Sequence, residues 1–243
     1  SFCRHRACCG RAGQALIEVM FGIILFFFVG VMAYEVAITY YGTTNPKASA
    51  ACRGGRFAYE TVMVPAGGSR WIEQRQGGDT GLPEDCFGSA VIQTASPDQG
   101  VVAVVVDMTN GADLLSANNA MPLGQAARRV AVPLFRRAHY DLTTGIQVMN
   151  TSNVSATVRI DFVATANDSD ETRPITGCDV CTREPGPMQG HAWWPGGIPA
   201  IPDSTYGAAT ITSDQPVVVL VNDYPLRAQS DPATYLGLPA VGD

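Results

Sequence analysis

The chain has 243 residues, of which 46% are hydrophobic and 16% are charged, and 22 acidic against 16 basic residues give a net charge of −6. This composition excludes a disordered acidic tail, and the acidic balance argues against nucleic acid as a partner. The 25 glycines and 16 prolines argue against a helical bundle. The length allows one large domain or two small ones.

The first part of the chain pairs a basic segment with a long apolar run. Residues 1–14 contain three arginines and no acid, and in residues 15–33 the only charged residue is Glu18. A helix over residues 15–34 would be about 30 Å long, which matches the hydrocarbon core of a bilayer. The sequence therefore predicts a cytoplasmic basic segment and a single transmembrane helix within residues 15–41.

Because the basic flank precedes this predicted helix, we expect the amino terminus to lie in the cytoplasm. The protein would then be a single-pass protein of the cytoplasmic (inner) membrane, with its carboxyl-terminal domain outside the cytoplasm. A cleaved secretory signal and a buried core helix are the alternatives for the apolar run.

The segment around Glu18 carries a family resemblance. Its sequence from Gly13 to Val19 is GQALIEV, between the basic stretch and the apolar run. This resembles the amino terminus of TadE-like proteins, the pseudopilins of tight-adherence pilus systems, over roughly residues 11–40. The resemblance implies cleavage between Gly13 and Gln14, which would make Glu18 the fifth residue of the mature chain. Glu18 would then pair with the amino terminus of a neighbouring subunit. A plain signal anchor is the alternative.

Residues 42–56 have the composition of a linker, and the remainder shows strand patterns between turn residues. The predicted strands are Ala58–Val64, Ser89–Thr94, Val101–Asp107, Ala131–Phe135, Gly145–Met149, Ala156–Ala164, Ala208–Thr212 and Val217–Asn222. Residues 157–163 alternate between polar and apolar types, which indicates one solvent-exposed face. The continuous apolar runs 101–106 and 217–221 indicate strands buried on both sides. We predict an all-β, sandwich-like ectodomain with little helix.

An internal repeat is visible in this ectodomain. Residues 87–94 are similar to residues 206–213, and residues 98–107 are similar to residues 214–223. Each copy is predicted to form a hairpin, in which an Asp-Gln turn joins a first strand to a buried second strand. The repeat divides the ectodomain into a first unit, residues 57–125, and a second unit, residues 126–243.

The second unit contains the strand Gly145–Asn150, with the sequence GIQVMN. It resembles β-sandwich repeats of bacterial cell-surface proteins, and this resemblance implies a role in adhesion, assembly or spacing. The first unit lacks the opening strands of the second. It either borrows edge strands from its own chain or leaves an edge for a partner.

Four cysteines would lie outside the cytoplasm, and they allow three disulfide pairings. The local pairing joins Cys52 to Cys86 and Cys178 to Cys181. The spacing of Cys178 and Cys181 also occurs in redox and metal sites, but a zinc site needs four ligands and only His191 is near in sequence. We therefore predict structural disulfides, no metal and no cofactor.

Other candidate residues are few. No catalytic triad, P-loop or dinucleotide motif can be assembled, so no catalytic residue is predicted and we expect the protein not to be an enzyme. Trp193 and Trp194 precede a Pro-Gly-Gly turn and form either a binding surface or the cap of a β core. Two arginine pairs, Arg128–Arg129 and Arg136–Arg137, flank an apolar strand and are expected to be gatekeeper charges at a sheet edge, and an acidic partner surface is the alternative.

These observations predict a non-enzymatic envelope protein, a TadE-like pilus or pseudopilin-type structural or assembly component. Its expected partners are the membrane and other membrane helices or pilin-like subunits, within an oligomeric assembly. One alternative is an accessory subunit of a larger respiratory or photosynthetic membrane complex. The other is an extracytoplasmic thiol oxidoreductase that uses Cys178 and Cys181.

Overall fold

The structure is a computed structural model, and it describes residues 33–42, 56–72, 88–95, 98–108, 115–166, 171–226 and 233–240. These residues form strands with two short 3-10 turns, Leu123–Gln125 and Pro195–Gly197. The strands are β1 (Ala33–Gly42), β2 (Arg56–Pro65), β3 (Gly88–Thr94), β4 (Val104–Met108), β5 (Leu115–Asn119), β6 (Ala127–Arg137), β7 (Leu142–Asn150), β8 (Val158–Ala166), β9 (Thr172–Pro174), β10 (Thr182–Arg183), β11 (Gly190–Trp193), β12 (Thr205–Pro225), β13 (Ala233–Leu236) and β14 (Leu238–Pro239). The prediction of an all-β domain is confirmed for the described part of the chain.

The second unit is built around β12. Strands β6 to β14 form one nine-stranded sheet, and β12 pairs with four of the others. Its first half, residues 205–213, lies between β6 and β8, and its second half, residues 217–225, lies between β7 and β13. The sheet therefore consists of two layers that share this one long strand.

A single hydrophobic core lies between the two layers. Its largest fully buried side chains come from β6, β7, β8 and β12 and from the loop before β12: Phe135, Phe162, Ile146, Ile160, Ile201 and Ile211. The rings of Phe135 and Phe162 meet edge to face with centroids 4.9 Å apart. In β8, Ile160 and Phe162 are buried whereas Arg159 and Asp161 are exposed. The predicted alternation of this strand, with one solvent-exposed face, is therefore present.

The predicted hairpins are wrong in both copies of the repeat. In the second copy, the Asp-Gln pair lies inside β12, and the strand continues through it. The chain stays extended there because Asp214 Oδ1 accepts a hydrogen bond from the Thr157 amide (2.8 Å) and the register against β6 shifts between Thr212 and Val217. Such an irregularity lets a strand pass from one layer to the other. In the first copy, β3 and β4 belong to different sheets.

The sequence predicted that the two valine-rich runs are buried on both sides. In the structure they are not. In β12, Val219 and Val221 are buried but Leu220 between them is half-buried, because the outer face of this layer is not covered by a full second layer. In the first copy, Val104 and Val105 are 57% and 54% exposed. Among the described residues β4 pairs only with β5, and the exposure of Val104 and Val105 shows that both of its faces are open.

The end of the predicted transmembrane helix is a β-strand. Residues 33–41 belong to β1, which lies between β2 and β3. The physical reason is that this segment is rich in β-branched and aromatic residues, and that Ile38 is buried against Val62 of β2. Within the described ranges, none of the helical segments is both long and apolar enough to cross a membrane. Residues 15–32 of the prediction lie outside the described residues.

Several other predicted features also lie outside the described residues. They are the basic segment 1–14, most of the linker 42–56, and the candidate residues Gly13, Gln14, Glu18, Cys52 and Cys86. The two ends of the linker are described, because Gly42 is the last residue of β1 and Arg56 the first residue of β2.

The ladder between β1 and β3 matches the ladder between β8 and β12. β1 lies before the predicted first unit, at residues 33–42. Corresponding pairs of the β1–β3 and β8–β12 ladders are Val36–Thr94 and Val158–Ser213, Ile38–Ile92 and Ile160–Ile211, Tyr40–Ala90 and Phe162–Ala209, and Gly42–Gly88 and Ala164–Gly207. Gly207 is required by close approach, since an added Cβ would lie 2.1 Å from the Val163 carbonyl oxygen. The repeated strand thus has the same antiparallel neighbour in both units.

The following hairpin also recurs. Asp107 of β4 lies opposite Ser116 of β5, as Asp223 of β12 lies opposite Ala233 of β13. The units differ on the other edge of these strands. In the second unit, hairpin β6–β7 pairs with both halves of β12, whereas β3 and β4 have no such neighbour among the described residues. The described first unit therefore has an open edge where the second has this hairpin.

Candidate functional site

An exposed pair of aromatic rings lies on the outer face of the second unit. Trp194 directly follows β11 and is 44% exposed, and its ring centroid is 5.2 Å from that of Tyr224 in β12. Gly145 of β7 lies beneath both rings, because an added Cβ would stand 3.0 Å from Trp194 Cζ3 and 3.2 Å from Tyr224 Cε2. Trp194, Tyr224 and Gly145 are called the aromatic patch below.

Polar side chains beside the aromatic patch orient the tyrosine. Asn222 lies two residues before Tyr224 on the same face of β12, and its Nδ2 donates to the Tyr224 hydroxyl oxygen and to Gln147 Oε1, both at 3.2 Å. Asn222 Oδ1 is buried and has no hydrogen-bond partner. The amide therefore links β12 to β7 next to the patch.

The loop after Trp194 is held by Arg137 at the end of β6. Its Nη1 donates to the carbonyl oxygens of Ile198 (2.6 Å) and Ile201, and its Nε donates to Asp203 (2.8 Å). The Trp194 carbonyl itself accepts from the amide of Gly197 at 2.7 Å. These bonds fix the backbone that carries the exposed indole.

The neighbouring Arg136 forms an ion pair beneath the patch. Its Nη1 donates to Asp223 Oδ2, and the Asp223 side chain is only 2% exposed. Thr144 Oγ1 donates to the other oxygen of Asp223 and accepts from the Arg136 amide at 2.8 Å. Arg136 and Arg137 do not act as free gatekeeper charges at a sheet edge, because both guanidinium groups bond within the fold.

Tyr235 of β13 lies beside this ion pair. Its hydroxyl donates to the carbonyl oxygen of Leu134. Burial disfavours the phenolate and, together with the nearby charge of Asp223, raises the pKa of Tyr235 to about 12. The phenol therefore remains a neutral hydrogen-bond donor at physiological pH, and it joins β13 to β6.

Trp193 does not share the exposed position of Trp194. It is 2% exposed and belongs to the core, and its Nε1 donates to the Val180 carbonyl at 2.9 Å. Of the predicted Trp193–Trp194 surface, only Trp194 is therefore at the surface. Trp193 also meets His191 edge to face at 4.7 Å. Burial, with a contribution from the charge of Arg183, lowers the pKa of His191 to about 4, so this imidazole is neutral at physiological pH.

Cys178 and Cys181 form a disulfide bond with a Cα–Cα distance of 5.4 Å. Cys181 belongs to the core, and Cys178 packs against it. The Cys181 carbonyl accepts from the Ile160 amide at 2.9 Å, which ties the disulfide loop to β8. The described residues contain no group of three or more His, Cys, Asp or Glu side chains placed to hold a metal ion.

Tyr224, Gly145 and Arg137 were not predicted as parts of this site. Tyr224 immediately follows the second repeat copy, and Gly145 begins the strand that was singled out there. Their contact depends on the pairing of Gly145 with Asn222, which only the register between β7 and β12 reveals.

Comparisons with known proteins place the chain in no family. No family model matches it, and no curated protein matches it. Among solved structures it is similar to the crystal structure of Thermotoga maritima 1070, with 20% identity, a TM-score of 0.38, and coverage of 49% of this chain and 98% of that one. It is also similar to the Anabaena sensory rhodopsin transducer, with 18% identity, a TM-score of 0.29, and coverage of 39% and 92%. Likenesses of this extent carry no functional argument.

Proposed function

We propose that the protein is a non-enzymatic, single-pass envelope protein, a TadE-like structural or assembly component of a pilus-type system. The observation that carries this proposal is the aromatic patch. An exposed tryptophan on a rigid frame is typical of protein interfaces, where large aromatic side chains act as anchors. The patch would be the surface through which the external domain contacts another subunit.

The use of the charged and polar side chains supports a structural role. Arg137 binds backbone carbonyls, Arg136 neutralises Asp223, and the disulfide lies against the core. His191 packs on Trp193 inside the unit. Each of these groups makes its contacts within the fold.

In this proposal the apolar residues 15–32, which precede β1, anchor the chain in the inner membrane, and Glu18 pairs with a neighbouring subunit. Glu18→Ala should leave membrane insertion intact and weaken co-purification with partner helices, and Glu18→Gln should fall between Glu18→Ala and the wild type. The mass of the native amino terminus separates two alternatives. A mature chain that begins at Gln14 supports pilin-type processing, and an unprocessed terminus supports an anchored accessory subunit.

The patch is tested by photo-crosslinking in cells that produce the full chain. Position 194 is replaced by p-benzoylphenylalanine, and the matched control carries the same residue at Val163, which is 42% exposed on β8. We expect adducts at position 194 that contain pilin-like or other envelope subunits, identified by mass spectrometry. Equal adduct yields at both positions would contradict the proposed role of the patch.

A further inference from the structure

The most apolar exposed surface in the described chain is strand β4 with the residues before it. Val102 is 92% exposed, and Val101, Val104 and Val105 are each more than 40% exposed. Neighbouring residues of a strand point to opposite faces, so both faces of β4 are open. No charged residue occurs between Gly100 and Val106. A two-stranded hairpin with such a surface is only marginally stable by itself.

Contacts with the second unit are made by β5 and β3. Ser116 of β5 shares a 2.5 Å hydrogen bond with Thr234 of β13, and Ser89 of β3 donates to the Met188 carbonyl at 2.9 Å. β5 occupies one edge of β4. The opposite edge of β4 pairs with no strand in the part of the chain that the structure describes.

The second unit shows what kind of strand such an edge accepts. The second half of β12 corresponds to β4, and its edge opposite β13 is occupied by β7, antiparallel, along residues 217–225. Val219 lies opposite Val148 in this ladder, and Val221 lies opposite Ile146. The matching edge of β4 therefore suits an antiparallel strand with branched aliphatic side chains.

We propose that this edge of β4 pairs with β4 of a second copy of the chain, antiparallel and across a two-fold axis. Residues 101–106 are valine at every position except Ala103, and Val104–Val106 begin β4, so valine meets valine across the pair. β4 has none of the lysines, prolines or bulges that protect the edges of monomeric proteins. Identical strands related by a two-fold axis form a closed contact in which each supplies the same surface.

We centre the antiparallel pair on Val104, a register that keeps the acidic residues apart. If Val104 lies opposite Val104 of the second copy, Val102 lies opposite Val106. Asp107 then lies opposite Val101 of the second copy, and the two aspartates are kept apart. This contact goes beyond the proposed function, because it is formed between identical chains and uses none of the residues of the aromatic patch.

The register is tested with Val104→Cys in the full chain, purified in detergent and oxidised. Cα atoms directly opposite in an antiparallel pair lie within disulfide range. We expect a covalent dimer whose linked peptides both contain residue 104, in mixtures of isotope-labelled and unlabelled chain. Val163→Cys, on the exposed face of β8, is the matched control and should remain without this link. A dimer linked equally well through residue 163, or none through residue 104, would overturn the proposal.

A second measurement distinguishes a dimer formed through β4 from one formed through the predicted transmembrane helices in detergent. Val104→Lys in a Glu18→Ala background should lower the molecular mass in solution from that of a dimer to that of a monomer. Val163→Lys in the same background should stay dimeric. Circular dichroism verifies that both variants fold. If the edge is instead covered within one chain, for example by its own apolar residues 22–28, Val104→Cys remains monomeric and the proposal fails. If photo-crosslinking at position 194 gives no adducts, the β4 dimer is still expected. Each of the two proposals can therefore be contradicted without the other.

Discussion

Gly145 and Trp194 approach so closely that a side chain on Gly145 would press against the indole ring. A Cβ on Gly145 would stand 3.0 Å from the indole Cζ3, closer than ordinary van der Waals contact. Gly145→Ala should therefore displace the indole and destabilise the unit by about 1 kcal/mol, as overpacking does. Urea unfolding gives the free energy, and photo-crosslinking yields at position 194 report the altered patch. Gly197→Ala is the control, because an added Cβ there meets no atom within 4 Å.

Replacement of Arg136 should lower the free energy of unfolding far more than Gly145→Ala does. Arg136→Met leaves the Asp223 carboxylate buried without its counter-charge, and we expect a loss of about 3 kcal/mol in the free energy of unfolding. The double variant Arg136→Met with Asp223→Leu should recover much of this loss, since no charge is then left unpaired. Arg159→Met, which breaks an exposed pair with Asp161, should cause no measurable change. If the double variant loses as much stability as Arg136→Met alone, the network stabilises the fold through packing and not through the charge pair.

Stability should fall in mild acid because of His191. Its pKa is about 4 in the folded protein against 6.5 in an unfolded chain, so the unfolded state binds more protons in this interval. The stability that depends on His191 being neutral is fully present above pH 6.5 and decreases as the pH falls toward 4. Partial solvent screening limits it to about 2 kcal/mol. Urea unfolding between pH 7 and pH 4.5 measures the slope, which His191→Gln should reduce and His139→Gln should leave in place.

The disulfide should contribute to stability without taking part in thiol exchange. It closes a loop with a sequence separation of 3, for which loop entropy predicts about 2 kcal/mol. Cys181→Ala should lower the free energy of unfolding by about this amount. The native protein should not reduce insulin in the presence of dithiothreitol. Catalysed reduction that is lost in Cys181→Ala would instead support the oxidoreductase alternative.

Strand positions were predictable because alternation and β-branched residues determine them locally. The predicted strands at 58–64, 89–94 and 145–149 all fall within observed strands. The path of β12 was not predictable, because an Asp-Gln pair is common in turns, and here the chain is held extended by contacts with distant residues such as Thr157 and Thr151. The aromatic patch depends on the register between β7 and β12, which local sequence does not encode. Trp193 and Trp194 had equal status in the sequence, and tertiary packing separated them.

The central position of β12 has a consequence for biosynthesis. Strands β6, β7 and β8 all precede β12 in the chain, and each needs it as a neighbour. Until the last part of the second unit has been synthesised, these strands expose unpaired backbone edges and apolar faces, which are prone to aggregation. Completion then adds one strand to both layers at once, so the unit should acquire its structure in a single late, cooperative step. A chain truncated before residue 205 should accordingly require a holding chaperone to remain in solution.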